Sequence, residues 1–148
     1  MRSYLAAALV GVLLPAVPAL AEDKVPTEQY QEILIKTALL TLNDADLTGN
    51  YGVLHDKLSK PFREQFTPDQ LKAGFRNLAD KKADWSFIAA MPPIATSETE
   101  IDERGALVLR GYFDSRPNRL SYELDFVPSE GQWKPLKLSV TLKPEKEK

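Results

Sequence analysis

The chemistry open to this chain begins with a single imidazole. His55 lies four residues after Tyr51 and directly beside Asp56, and an imidazole held by a carboxylate is a familiar general base near neutral pH. Neighbouring residues on a helix point about 100° apart, so Asp56 is poorly placed to orient the ring and a partner has to come from elsewhere. No triad spacing accompanies the histidine, and the plainer reading is a helix-boundary side chain packed against the sheet.

Upstream, Asp44, Asp46, Thr48, Gly49 and Asn50 resemble the opening of a calcium loop, with acids at its first and third positions and glycine at its sixth. The twelfth position, where a bidentate glutamate closes such loops, is His55. The strongest ligand is therefore missing, and the same residue types suit a solvated turn between helices. We expect no metal and no cofactor. A third constellation, Arg110, Tyr112 and Asp114 with Glu123 and Asp125, recurs with the alternation of strands and makes a polar, aromatic sheet face. Cross-strand ion pairs such as Glu123 with Lys137 account for most of it. What they leave over suits a homodimer through that face.

No P-loop, G-x-G-x-x-G, G-x-S-x-G, HExxH or Cys-His zinc spacing occurs. Trp85 and Trp133 serve packing, because neither is followed by the basic pattern that base stacking requires. With 19 basic residues mixed among 21 acidic ones, the chain has no basic stripe for nucleic acid and no polybasic membrane surface.

The elements that must hold these residues divide into a helical half and a strand half. Thr27 is an N-cap, and Tyr30, Ile33, Leu34, Thr37, Ala38 and Thr41 follow at helical spacing. Ile35, Leu39, Leu40 and Leu42 add apolar surface outside that stripe, which predicts a helix over residues 28–43 enclosed on most sides. Residues 43–50 (NDADLTGN) read as a connector, after which Asn50 caps a short helix with Tyr51, Leu54 and Leu58 inside. Pro61 interrupts, and Phe62 and Phe66 pair across one helical turn. Thr67-Pro68-Asp69-Gln70 then spells a capping box with proline at the first helical position, opening a helix that buries Leu71, Phe75 and Leu78.

Residues 85–91 are apolar and fit helix or strand; Pro92 and Pro93 stop them. Residues 94–102 read as an edge strand. Three alternating strands follow. Leu107, Leu109 and Phe113 face in on the first, Leu120, Tyr122, Leu124 and Phe126 on the second, and Leu136, Leu138, Val140 and Leu142 on the third. The fold class is α+β, with N-terminal helices packed on one face of a curved antiparallel meander sheet.

The N-terminus carries an export signature. Arg2 is the only charge before an apolar run over residues 4–14, too short for a membrane anchor, then Pro15, Pro18 and the small-residue exit Ala19-Leu20-Ala21. We expect residues 1–21 to be a signal peptide cleaved after Ala21, residues 22–142 to be one domain, and residues 143–148 to be a charged flexible tail. The mature chain is then periplasmic or secreted, with no membrane insertion. It contains no cysteine, so it has no disulfide framework or acylated anchor and folds by apolar burial alone.

Helices followed by an antiparallel meander, the helix-linking Thr48, Gly49, Asn50 and Tyr51, and the closing Asp125, Phe126, Gly131, Gln132, Trp133 and Lys134 together resemble the NTF2-like (cystatin-like α+β cone) superfamily, in particular its small exported bacterial members. The resemblance implies a sheet curled around the long helix into a cone, sometimes with an apolar pocket at its mouth, and sheet faces that mediate dimers. Enzymes of the superfamily often place a His/Asp pair in that pocket.

The resulting expectation is an exported, non-enzymatic module that binds a small apolar ligand or an envelope protein partner. Its core is largely filled, because the inward strand set is mostly large and Tyr122 is its only polar-tipped member. A shallow apolar cleft is expected near Tyr51, His55 and the Trp85 segment, with Tyr112 and Tyr122 as further binding candidates. The alternative is a cofactor-independent isomerase, dehydratase or hydrolase with His55 as general base and Asp56 beside it.

Overall fold

The computed structural model describes residues 24–144. The expected signal peptide, with its expected cleavage after Ala21, and residues 145–148 lie outside the described residues.

Helix α1 (Glu28–Thr48) starts where Thr27 Oγ1 accepts from the Tyr30 N–H at 3.2 Å. It runs five residues past the end read from sequence, through the supposed connector. The cause is tertiary: Asn43 and Ala45 are both buried, and the Asn43 amide is occupied from outside the helix, its oxygen accepting from Trp85 N at 3.0 Å and its nitrogen donating to Asp84 at 3.0 Å. The helix stops instead at Gly49, whose φ of 77° is cheap only for glycine and whose N–H caps Ala45 O. Nor is α1 enclosed on most sides. Leu34, Ile35, Ala38, Leu39, Leu42 and Ala45 are buried along one face, while Ile33 is 57% exposed and Tyr30 and Leu47 are also open. Apolar residues outside a helix's contact face stay in water when no second layer covers them.

Four short helices follow: α2 (Gly52–Lys57), α3 (Lys60–Gln65), α4 (Pro68–Gly74) and α5 (Arg76–Ala79). Asn50 Oδ1 accepts from Gly52 N at 2.9 Å and so turns the chain into α2. Pro61 sits within the first turn of α3 rather than breaking it. The Thr67–Gln70 capping box opens α4, with both of its bonds made. The segment read as ambiguous is a 3₁₀ turn (Ser86–Ala90), pinned to α1 by Trp85, whose indole donates to Leu39 O at 2.9 Å.

The sheet is antiparallel, with five strands: β1 (Ile94–Ala95), β2 (Glu100–Ile101), β3 (Leu107–Phe113), β4 (Asn118–Ser129) and β5 (Gln132–Pro144). β1 and β2 both pair with β3, so residues 94–102 do form the edge, as one interrupted strand. β4 pairs with β3 and β5, which leaves β5 as the other edge. The hairpin between β4 and β5 turns through Glu130 (φ 56°) and Gly131 (φ 84°), the two left-handed residues of a tight turn matched to strand twist. Arg63 of α3 grips Glu130 with two bonds of 3.0 and 2.9 Å, and Lys134 adds a third. Those hydrogen bonds hold the Glu130 carboxyl down at about 2. β5 continues through Lys143 and Pro144, two residues past Leu142.

The inward residues of β3 and β4 are sealed as expected, and with Leu39, Leu42, Leu54, Leu58, Trp85 and Ile88 they form one core between helices and sheet. Two residues depart from the alternation. Asp125 pairs with Lys137 but Phe126 pairs with Pro135, so Leu136 is the extra residue of a β-bulge. Its side chain therefore leaves the helix side and is buried with Ala106 and Val127 on the opposite face. Asp125 also points to that face and yet is buried, because Arg104 lies across it. The fold is thus α+β with N-terminal helices against an antiparallel sheet. The sheet is not strongly curled.

Candidate functional site

The inward face of the sheet is closed everywhere except along β5. Leu138 and Val140 point toward the helices but are only half-buried, because α4 and α5 stop short of the strand. An open cleft of about 430 Å³ runs there. Phe75, Leu78 and Lys81 line one wall, and residues 138–143 of β5 line the other. Phe75 can occupy that wall because it is the junction where α4 ends and α5 begins, with a non-helical ψ of 12°. Lys81, Lys143, Asn77, Ser139 and Thr141 stand around the apolar floor without a side-chain bond to a described residue. An apolar strip with a polar, basic rim can hold an apolar group and orient it.

The residues singled out from sequence are not brought together at this cleft. Tyr51 comes nearest: its ring is buried and stacks on Phe75 at 6.4 Å, so it supports the wall from behind. Its hydroxyl donates to Asp46 Oδ1. Burial raises the Asp46 carboxyl above its ordinary value, with the Tyr51 hydrogen bond opposing, and burial together with Asp46 raises the Tyr51 phenol. Asp46 Oδ2 is buried with no hydrogen-bond partner among the described residues. Asp44, Asp46 and Thr48 are helical, so the calcium-loop geometry does not exist. Among the described residues no three potential ligands gather.

His55 is turned away from the cleft. Its Nε2 faces the carbonyls of Phe66 at 2.8 Å and Arg63 at 3.2 Å, which fixes Nε2 as the protonated, donating nitrogen. The ring thereby satisfies the open end of α3. Nδ1 stands 4.0 Å from Asp56, a carboxylate that is itself largely in solvent. Trp85 is 1% exposed and inside the core. Tyr122 is buried beside Phe113 at 5.8 Å, and burial pushes its phenol up to about 12. Tyr112 lies on the opposite sheet face, 4.0 Å beneath the Arg119 guanidinium. That face also carries Lys137 at 3.1 Å from Glu123, the cross-strand pair expected from sequence, made diagonally because Lys137 sits opposite Asp125.

The cleft along β5 is lined by Phe75 and by none of Tyr51, His55 and Trp85, the positions around which the sequence suggests a shallow cleft. Two signals bore on it: the Phe75 position in a helix too short to cover three strands, and the length of the last strand. No family model, curated protein or solved structure matches this chain.

Proposed function

We propose that the chain is an exported, non-enzymatic binding module of the NTF2-like kind, whose cleft between α5 and β5 takes an apolar group from a small ligand or from an envelope protein. The observation that carries this reading is that Leu138 and Val140 are only half-buried on a sheet face that is otherwise sealed. Apolar side chains left open beside a second apolar wall gain when an apolar group displaces water from both. Export is supported by Arg2, the short apolar run and the Ala19-Leu20-Ala21 exit. Among the described residues no helix is long and apolar enough to cross a membrane. The NTF2-like reading is supported by the order of helices then antiparallel meander. The non-enzymatic reading is supported by His55, whose Nε2 proton is committed to backbone carbonyls. The outer sheet face, which carries the Tyr112–Arg119 contact toward one end, would mediate a homodimer.

Titration with the dye anilinonaphthalene sulfonate tests the cleft. The purified protein should enhance its fluorescence saturably, and Val140→Glu, with an unchanged circular dichroism spectrum, should abolish the enhancement. Equal enhancement by the folded variant overturns the assignment.

A further inference from the structure

The cleft is lined by six consecutive residues of β5, 138–143, and consecutive strand residues point to opposite faces. What it presents is therefore the outer edge of the strand. β5 is terminal in the sheet, so alternate N–H and C=O groups along that edge have no neighbouring strand. At its beginning the edge is occupied, since Ser59 N donates to Pro135 O at 2.9 Å and α3 packs against β5. Past the bulge, among the described residues, no backbone bond from outside the sheet reaches residues 137–143.

Accepting the cleft as a binding site, we propose that its occupant is an extended peptide segment of a partner protein, which adds as a strand to the edge of β5. Such a segment of about six residues spans roughly 20 Å, the length of the lined strand. Alternate side chains enter between Val140 and Phe75, so every second residue is apolar. The others point to the outer face of the sheet and are acidic, because Lys143, without a bond to a described residue, and Lys137 lie on that face of the same strand. Among the described residues, Glu123 on that face already pairs with Lys137, and Asp80 of the helix wall is exposed. A second copy of the chain fits less well. Antiparallel pairing of β5 about a two-fold at Val140 matches Leu138 with Leu142 but sets Lys137 against Lys143, like charge against like.

The test uses an acetylated, amidated hexapeptide of alternating glutamate and valine, followed by amide chemical shifts of the full chain, with two N-methylated versions. In one the glutamate amides are methylated, in the other the valine amides; only one set faces β5. One version should lose affinity by about tenfold or more while the other stays close to the parent, as expected when main-chain bonds carry the contact. Lys143→Glu should shift preference to a lysine-valine hexapeptide. If both methylated versions bind like the parent, strand addition is overturned and the cleft stands. If the hexapeptide fails while the dye shifts Phe75 and Leu78, the same holds. If neither binds, both readings fall. Concentration-dependent dimerisation blocked by Val140→Glu would replace the peptide with a second copy and overturn the proposed occupant.

Discussion

Arg104 Nη2 donates to Asp125 Oδ2 at 2.7 Å, with the aspartate side chain 5% exposed and the arginine 30%. The same guanidinium holds Asp102, whose other oxygen accepts the N–H groups of Arg104 and Ala106 and so closes the turn into β3. Removing the arginine leaves a buried carboxylate alone. Arg104→Ala should cost roughly 3 kcal/mol, the lower end for breaking a buried pair because the arginine is partly solvated. Adding Asp125→Leu should recover part of that loss, and urea melts of the single and double variants measure both.

Asp46 gives a pH dependence of definite sign. Its folded carboxyl lies above the ordinary value, so its contribution to stability is fully present below that ordinary value and is lost as pH rises through the folded one. Asp46→Asn keeps an acceptor for Tyr51 and removes the charge. The variant should be more stable than the parent at neutral pH, and the gap should close on acidification, as read from denaturation midpoints across pH.

Leu124 is fully buried, whereas His55 is a partly buried cap on α3. Leu124→Ala should cost roughly 2–5 kcal/mol. His55→Ala should cost about 1 kcal/mol, the net worth of a hydrogen bond whose carbonyl partners regain water. A melt in which His55 outweighs Leu124 would contradict this arrangement.

Gly111 sits beneath Tyr122 in the β3–β4 pair, and a Cβ there would overlap Ile94 O and lie 2.5 Å from Tyr122 Oη. Because one obstacle is backbone, the strand must move. Gly111→Ala should destabilise by roughly 1–3 kcal/mol, the usual cost of overpacking. Thermal melts of Gly111→Ala and of Gly74→Ala, where nothing lies within 4 Å of the new Cβ, give the contrast.

Features encoded by neighbouring residues were legible in the sequence. The Thr67–Gln70 box and the alternation through Leu120, Tyr122, Leu124 and Phe126 need only local geometry, and both appear as read. What depended on distant partners was not. The length of α1 rests on Asn43 meeting Trp85, the burial of Asp125 on Arg104, and the position of Leu136 on a bulge that changes which face the strand shows. The cleft belongs to this second group, since Leu138 and Val140 look like core residues until the reach of α5 is known.

On the proposed function the molecule binds along the open strip of β5 and not on the face of α1 that carries the exposed Ile33 and the partly buried Leu40. The most direct measurement is a residue-resolved amide shift titration of the purified protein with anilinonaphthalene sulfonate. Saturable shifts at Phe75, Leu78, Leu138 and Val140, with Ile33 and Leu40 unmoved, are the predicted result. Shifts centred on Ile33 and Leu40, with β5 silent, would contradict it.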